Sequence, residues 1–300
     1  MTDQIAFIGV GNMGNPMADQ LVKAGKQVKV YDVSPEVIQK AKEAKLNVVD
    51  TLDEVLKDAN FVISMLPEGK HVKSLYLGDK GIIDKISKDA LIIDCSTIDI
   101  ETSLLLGKEA KNRGIRMIDA PVTGGVMGAR IGKLNFLVGG EDEAVSIAKP
   151  LFDIMGQKSV LCGPSGSGQS AKICNNMILG ATMIATCEAF ALADKLNLSR
   201  EKMYDVVSTS SGYSWSMNAY CPAPGVGPKS PSDNNYIPGF SSDLMLKDLT
   251  LSQMAAEDVN ADTPMGDLAM KLYKTFVEEE NGTGKDFSAM LPRFEKKPRN

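Results

Sequence analysis

Near its start the chain reads IAFIGVGNMGNP from Ile5 to Pro16, four apolar residues that run into a glycine-rich turn. The apolar run predicts a buried strand, and residues from about Met13 to Ala24 show a helical pattern. A second apolar run, Val28–Tyr31, ends at Asp32, 18 positions after Gly14. This order of strand, glycine turn, helix, strand and acidic residue is the pattern of a dinucleotide-binding βαβ unit.

Each glycine of the turn has a predicted purpose. Gly9 permits the tight bend, Gly11 lets a pyrophosphate approach the backbone, and Gly14 lets the helix pack closely on the strand. Amides at the start of the helix would face the phosphates. The predicted cofactor-binding turn therefore comprises Gly9, Val10, Gly11, Asn12, Met13 and Gly14.

Asp32 is predicted to bind the adenosine ribose. Its negative charge would repel a 2′-phosphate, and no Arg or Lys occupies positions 33–36, which favours NAD over NADP. The structural alternative is that Asp32 caps the Ser34-Pro35 turn.

The composition is that of an ordinary globular chain of 300 residues with a net charge of −5. This acidic balance disfavours a nucleic-acid or anionic-membrane partner. Five cysteines lack any C-x-x-C spacing, so we expect no metal site and no disulfide framework, and a reducing, cytoplasmic location. The apolar stretch 177–193 is interrupted by Glu188, which favours a buried helix over a membrane span.

Residues 4–162 alternate strand-like runs with helical patterns, which predicts an α/β fold with a largely parallel, doubly wound sheet of the Rossmann type. From Gln169 onward the patterns are helical and open with one long helix. We therefore predict a dinucleotide-binding domain over 1–164 and an all-helical domain over 165–300. Residues 210–240 lack periodicity and are either a functional loop or disordered. The tail 294–300 is expected to be frayed.

Polar and glycine-rich segments follow several predicted strands. They are Leu66-Pro67, Ser96-Thr97 and Thr123-Gly124-Gly125. Ligands of open parallel sheets bind at the carboxyl ends of strands, so these segments are candidates for the site. The Thr123 hydroxyl and the two flexible amides after it suit a carboxylate, with a plain glycine turn as an equal alternative.

Lys172 lies in the first turns of the long helix, with Asn175 and Asn176 three and four residues later. These spacings place the three side chains on one helix face, so the polar cluster needs water, a cleft or a partner. A solvated first turn is the alternative. The helix dipole disfavours a cation near the N-terminus and would lower the pKa of Lys172. His71, the one histidine, is expected to be a partly exposed residue near the cofactor. Lys172 is therefore the candidate acid/base.

Together these segments resemble the β-hydroxyacid dehydrogenase family over nearly the whole chain. Residues 7–18 match the family's cofactor signature, and residues 119–125 resemble its substrate motif, with Thr123 where Ser is common. Residues 166–176 are similar to its catalytic motif. Lys247-Asp248 corresponds to a cofactor-side lysine and its neighbour.

The resemblance implies NAD-dependent oxidation of a small hydroxyacid, with Lys172 as acid/base and Asn175 or Asn176 orienting the lysine or the substrate. It implies that the substrate contacts Ser96, Thr123, Gly124, Gly125, Lys172 and Asn176, and that the cofactor also contacts Leu66, Pro67, Thr97 and Lys247. The loop after Ser210 resembles that of members that oxidise 3-hydroxyisobutyrate in valine breakdown. A homodimer or homotetramer is implied as well.

Two alternatives remain at this point. One is a sister enzyme acting on serine or tartronate semialdehyde. The other is a catalytically silent nucleotide-binding module, against which Lys172 and the acidic charge argue.

Overall fold

The computed structural model describes residues 3–296. The chain separates into two compact units, the first ending at Lys172 and the second beginning at Ile173. The sequence predicts this boundary near residue 164. The packing assigns residues 165–172, which include the first turn of a long helix, to the first unit.

The first unit alternates strands and helices, as the sequence predicts. Its elements are β1 (Gln4–Ile8), α1 (Gly14–Lys23), β2 (Gln27–Tyr31), α2 (Pro35–Glu43), β3 (Asn47–Val48), α3 (Leu52–Leu56), β4 (Phe61–Ser64), α4 (Gly69–Leu77), β5 (Leu91–Asp94), α5 (Ile100–Asn112), β6 (Arg116–Asp119), β7 (Val122–Thr123), α6 (Gly125–Arg130), β8 (Leu134–Gly139), α7 (Asp142–Met155) and β9 (Gly156–Gly163). The short elements β7 and α6 were not predicted, because the glycines at positions 124 and 125 indicate a turn.

The strands form one sheet in the order β3-β2-β1-β4-β5-β6-β8-β7, with β9 paired to β8. The six strands β1 to β6 are all parallel to one another in the sheet, whereas β8 is antiparallel to β6 and β7. The doubly wound, Rossmann-type sheet is thus confirmed. The chain order reverses between β1 and β4, and the crevice at that switch point is where such sheets bind dinucleotides.

Both faces of the central strands are buried, which explains their continuous apolar runs. In β1, Ile5 and Phe7 pack in one apolar cluster with residues of α1 and α7. Ala6 and Ile8 point the other way, into a second cluster that includes Tyr76. This alternation fixes the register of β1, and with it the position of the glycine turn at its carboxyl end.

The described part of the second unit is helical, as predicted. Its elements are α8 (Ser167–Lys195), which begins in the first unit, α9 (Arg200–Val207), α10 (Trp215–Asn218), α11 (Ser242–Asp258), α12 (Pro264–Glu279) and α13 (Met290–Lys296). The prediction of a frayed tail is wrong for residues 294–296, which belong to α13, while residues 297–300 lie outside the described range.

Helix α8 is long and apolar enough to cross a membrane by length and composition alone, a test that the core helix of a soluble domain also passes. Its residues Met183, Cys187 and Phe190 are fully buried in the apolar core of the second unit. One face of the helix is therefore buried, as predicted, whereas its residues Ile178 and Leu192 are 60% and 55% exposed.

The segment from Ser210 to Phe240 is ordered, so the disordered alternative is wrong. It contains α10 and a 3₁₀ turn over Pro231–Asn234. Asp233 accepts hydrogen bonds from the amides of Gly225 and Ser230. Further along, buried Asp286 accepts from the Tyr220 hydroxyl over 2.8 Å and from two backbone amides of the same segment. A predicted functional role of the loop stays a prediction.

Candidate active site

The glycine turn after β1 has the shape that a dinucleotide requires. Gly9 has a φ of +89°, and a Cβ there would lie 2.4 Å from the Met65 carbonyl oxygen. A Cβ on Gly14 would lie 1.9 Å from the Gly9 carbonyl oxygen. A Cβ on Gly11 would meet nothing within 4 Å. The protein therefore fills the space behind the turn and leaves the space in front of Gly11 open, which fits a pyrophosphate at the N-terminus of α1.

Asp32 lies at the end of β2 and contacts this turn. Its carboxylate accepts a hydrogen bond from the Val10 amide and another from the Ser34 amide, each 2.9 Å long. The Ser34 contact is the turn-capping role considered from the sequence. The Val10 contact additionally holds the carboxylate beside the glycine turn, where an adenosine ribose would lie. Contact with the ribose itself stays a prediction.

The segments after β4 and β5 lie side by side. Ser96 is fully buried, and its hydroxyl donates to Asp94 over 2.6 Å and accepts from the Leu66 amide over 2.8 Å. Burial raises the pKa of Asp94 to about 6, although hydrogen bonds from Ser96 and Ser64 oppose that shift. Ser96 therefore joins the two strand ends, and its predicted contact with a carboxylate stays untested. Leu66 and Thr97 are half-buried and Pro67 is exposed at this edge of the sheet.

Asp119, at the end of β6, caps the helix that bears Lys172. It is 2% exposed and accepts hydrogen bonds from the Gly166 amide over 2.7 Å and the Gln169 amide over 3.0 Å. Burial raises the pKa of Asp119, and these backbone bonds oppose the shift. The carboxylate close to the N-terminus of α8 offsets the positive end of the helix dipole, an effect that the sequence analysis did not include.

Gln169, in the first turn of the helix that bears Lys172, holds the loop after β5 against that helix by two hydrogen bonds. Its side chain is fully buried, with Oε1 accepting from the Ile98 amide over 3.1 Å and Nε2 donating to the Ser96 carbonyl over 2.8 Å. The side chain thus pairs with the backbone on both sides of Thr97. The predicted cofactor-contacting residue Thr97 is held in place by a residue one turn before Lys172.

Lys172 reaches the segment predicted to hold a carboxylate. The side chain is 9% exposed, and Nζ donates to the Val122 carbonyl oxygen over 2.8 Å. Thr123 follows Val122 directly in β7 and is half-buried. Its hydroxyl accepts a 3.4 Å hydrogen bond from the side-chain amide of Asn135. Gly124 and Gly125 have φ values of +118° and +61°, which favour glycine. The structure therefore places the Lys172 amine against β7, the strand that contains Thr123.

Asn175 and Asn176 continue along α8 in the second unit. Asn175 is exposed and donates to the Asn176 side chain over 2.9 Å. Asn176 is buried and donates to the Asp248 carboxylate, which also pairs with Lys247 over 3.0 Å. Lys247 and Asp248 lie on α11, so the structure joins the asparagine pair to this lysine through one carboxylate. Contact of Lys247 with the cofactor stays a prediction.

His71 lies on α4 and is exposed. Within residues 3–296, no group of three or more His, Cys, Asp or Glu side chains is placed to hold a metal ion. Lys172 therefore remains the candidate acid/base.

Sequence reasoning missed Asp94, Asp119 and Gln169 as supporting residues. Both aspartates end four-residue strands that are otherwise largely apolar. A carboxylate at the end of a buried strand needs hydrogen-bond donors, and that requirement was available as a signal. Gln169 carried no such signal, because its two partners lie 71 and 73 residues away.

Two family models cover the chain. Residues 4–163 match the NAD binding domain of 6-phosphogluconate dehydrogenase. Residues 166–294 match the NAD-binding domain of NADP-dependent 3-hydroxyisobutyrate dehydrogenase.

Individual relatives match over nearly their whole length. A 3-hydroxyisobutyrate dehydrogenase of Pseudomonas aeruginosa is 45% identical, covering 97% of both chains. An NAD-dependent L-serine dehydrogenase of the same organism is 40% identical, covering 97% of this chain and 98% of the relative. The solved structure of Mycobacterium tuberculosis 3-hydroxyisobutyrate dehydrogenase with L-serine has a TM-score of 0.90 and 38% identity, covering 98% of this chain and 99% of that one. This chain therefore belongs to the β-hydroxyacid dehydrogenase family and is an NAD-dependent oxidoreductase that acts on a CH–OH group.

Proposed function

We propose that the protein oxidises 3-hydroxyisobutyrate to methylmalonate semialdehyde with NAD, a step of valine breakdown. The 45% identical relative supports this substrate. The resemblance of residues 210–240 to the corresponding loop of such enzymes supports it too. The observation that carries the mechanism is the position of Lys172. Its Nζ lies 2.8 Å from the carbonyl oxygen of Val122, the residue that precedes Thr123 in the chain.

The chemistry requires two transfers from the substrate. NAD⁺, when bound at the glycine turn and Asp32, would supply the acceptor for the hydride that leaves the hydroxyl-bearing carbon. Thr123 and the amides of Gly124 and Gly125 bind the carboxylate and so orient that carbon. Lys172, as a neutral amine, takes the hydroxyl proton and becomes an ammonium, and in the reverse direction it returns the proton. The Val122 carbonyl holds Nζ in place in both protonation states.

A second candidate substrate is L-serine. One relative is named an L-serine dehydrogenase, and one solved relative is described with L-serine. 3-Hydroxyisobutyrate and L-serine share the HOCH₂–CH–COO⁻ frame. On the central carbon, 3-hydroxyisobutyrate bears a methyl group and L-serine bears an ammonium group. The groups proposed here for the carboxylate and the hydroxyl would therefore serve either substrate, and discrimination must come from the residues around the third substituent.

The substrate experiment measures kcat/KM with NAD for 3-hydroxyisobutyrate and L-serine, and the reverse reduction of tartronate semialdehyde with NADH. We expect 3-hydroxyisobutyrate to be preferred by at least about tenfold, the scale on which one methyl pocket discriminates. A preference for L-serine or tartronate semialdehyde would replace this substrate with the sister activity. NAD binding with no turnover of any of them would instead indicate a non-catalytic module.

The acid/base assignment is tested with Lys172→Ala. We expect kcat to fall by roughly 10²–10⁴-fold with the NAD dissociation constant unchanged. The kcat of Lys172→Arg should fall nearly as far, because a guanidinium does not lose its proton at working pH. Wild-type oxidation should rise with pH, since a lysine amine has a reference pKa of about 10.4 and acts only when neutral. Lys158→Ala, at an exposed position of β9, is the control. Retention of more than about a tenth of wild-type turnover by Lys172→Ala would refute the assignment.

We further infer a cytoplasmic homo-oligomer. The five cysteines are unpaired in the structure, which suits a reducing compartment. Exposed apolar side chains in the second unit, Ile178 (60%), Met254 (50%) and Met265 (65%), supply surface for a second copy. Light scattering after gel filtration should show a dimer or tetramer, and a monomer at micromolar concentration would contradict this.

A further inference from the structure

Two series of hydrogen bonds converge on one oxygen beneath the carboxyl edge of the sheet. In the first, the Tyr76 hydroxyl donates to Ser64 over 3.0 Å, and Ser64 donates to Asp94 Oδ1 over 2.7 Å. In the second, the Leu66 amide donates to Ser96 over 2.8 Å, and Ser96 donates to the same Oδ1 over 2.6 Å. Asp94 is 1% exposed, and Tyr76, Ser64 and Ser96 are fully buried. Every hydroxyl in both series donates toward Asp94. Asp94 is therefore the common acceptor that fixes the direction of both series of hydrogen bonds.

The second series of hydrogen bonds, from Leu66 through Ser96 to Asp94, lies where β4 ends. The Met65 amide still bonds to the Ile8 carbonyl, as in regular strand pairing. The next amide, that of Leu66, bonds to the Ser96 hydroxyl instead of a backbone carbonyl. A side chain thus replaces the strand partner at the residue where the chain turns toward Pro67. That turn follows β4, at the switch point between β1 and β4 where a dinucleotide binds.

Ser96 has no hydroxyl proton left for a ligand. A serine hydroxyl has one donor, which Ser96 gives to Asp94, and the Leu66 amide occupies one of its acceptor positions. Binding a substrate carboxylate would need that donor, and the side chain is fully buried. The observed geometry therefore favours a contact that acts through Leu66 over the direct substrate contact expected from the sequence.

We propose that Ser96 and Asp94 are positioning residues for the nicotinamide half of NAD, acting through the Leu66-Pro67 turn and Thr97. The two halves of the sheet each bind one mononucleotide. Asp32 and the glycine turn assign the adenosine half to β1, β2 and β3, so the nicotinamide half belongs over β4, β5 and β6. Both of the segments that Ser96 joins lie at that end of the crevice.

The experiment compares two probes, NADH and ADP-ribose, the second of which lacks the nicotinamide. Isothermal titration gives the dissociation constant of each for the wild type and for Ser96→Ala. We expect NADH binding to weaken about tenfold, since two buried hydrogen bonds are lost. ADP-ribose binding should change less than about twofold, because its contacts at the glycine turn are intact. Hydrogen exchange should accelerate at the Leu66 amide but not at the Met65 amide.

Two further variants secure the interpretation. Ser103→Ala is the matched control, because Ser103 is a buried serine (2% exposed) whose hydroxyl has no hydrogen-bond partner within the described residues. It should leave both dissociation constants unchanged. Asp94→Asn keeps an acceptor oxygen without the charge and should weaken NADH binding about threefold, again with ADP-ribose spared. This variant serves as the test should Ser96→Ala not fold.

Three outcomes would overturn the proposal. The first is an unchanged NADH dissociation constant in both Ser96→Ala and Asp94→Asn. The second is an equal loss for NADH and ADP-ribose, which would mean a general loss of structure. The third is a raised KM for the hydroxyacid with normal NADH binding, which would make Ser96 a substrate ligand.

Discussion

Lys172 and Val122 are joined by a hydrogen bond of 2.8 Å from Nζ to the carbonyl oxygen, across 50 residues of sequence. The carbonyl belongs to β7, and the two glycines after Thr123 have the left-handed conformation that turns the chain into α6. The candidate proton acceptor and the candidate carboxylate-binding segment are thus joined by one direct hydrogen bond.

Thr123→Ala should raise the KM for the hydroxyacid by about tenfold and that for NAD by less than about twofold, because it removes one hydrogen bond to a charged group. Gly124→Ala should do the same more severely, since its φ of +118° strains any residue with a Cβ. Steady-state kinetics checks both, with Thr209→Ala at an exposed position as control. A methyl ester of the substrate that turns over as fast as the free acid would contradict a carboxylate site.

Asp119→Asn should lower the free energy of unfolding by about 2 kcal/mol, because the amide that replaces one carboxylate oxygen cannot accept from the capped backbone. It should also lower kcat, since Lys172 lies in the first turns of the helix that Asp119 caps. Chemical denaturation and steady-state kinetics measure the two effects. Asp142→Asn, at the exposed start of α7, should cost only about 0.5 kcal/mol. An unchanged kcat in Asp119→Asn would show that the cap does not position the lysine.

Gln169→Glu should destabilise the loop around Thr97. A glutamate still accepts from the Ile98 amide, but its second oxygen meets the Ser96 carbonyl without a proton between them. We expect a loss of about 2 kcal/mol in unfolding free energy and weaker NADH binding. Gln27→Glu, at an exposed position of β2, serves as the control and should change neither. Wild-type stability in Gln169→Glu would mean that the loop holds its shape without this side chain.

The burial of Asp94 makes a prediction about pH. Its pKa is raised from 3.8 to about 6, chiefly by burial, with neighbouring Asp119 acting in the same direction and Ser64 and Ser96 against it. A folded-state pKa above the unfolded value gives stability that is fully present below about pH 3.8 and is lost as pH rises through about 6. The stability of the wild type relative to Asp94→Asn should therefore fall by up to about 3 kcal/mol between pH 4 and 7. Denaturant titrations of both proteins at matched pH test this, and a constant difference would contradict it.

The cofactor preference can be tested at the end of β2. Asp32→Ser with Val33→Arg should lower kcat/KM with NAD by more than about tenfold and raise it with NADP, because repulsion of a 2′-phosphate is removed and a cation is supplied. Val33 is 82% exposed, so an arginine fits there without repacking. The Val33→Arg single variant separates the gain for NADP from the loss for NAD. Wild-type efficiency with NADP equal to that with NAD would refute the predicted role of Asp32.

The long elements of this fold were predictable because each shows either a continuous apolar run, as the central strands do, or a helical hydrophobic period. The buried faces of β1 and the helix that begins at Gly14 follow directly from the pattern around the glycine turn. The elements that were missed are short or terminal. The two residues of β7 and the six of α6 adjoin a glycine pair that indicates a turn, and they form because β8 and the left-handed glycines define their positions.

The candidate site divides in the same way. Lys172 could be identified from sequence because a charged residue in an apolar helix is locally anomalous. The distant partners of Ser96, Gln169 and Asp119 could not, since these hydrogen bonds join residues 30 to 73 positions apart in the chain. The hydroxyl of Ser96 illustrates the limit. Its residue type suited a carboxylate, whereas the structure shows its proton directed to Asp94.

The nonlocal cap of α8 has a consequence for how the protein acquires activity. The carboxylate that accepts from Gly166 and Gln169 lies 47 and 50 residues earlier in the chain, at the end of β6. A Cβ on Gly168 would lie 2.4 Å from the Leu137 carbonyl oxygen, so β8 must also be in place beside this turn. The position of the first turn of the helix, and with it that of the Lys172 amine, therefore depends on an assembled sheet. We expect a partly unfolded chain that has bound only the nucleotide to show no turnover, because the candidate proton acceptor Lys172 would not be held in place.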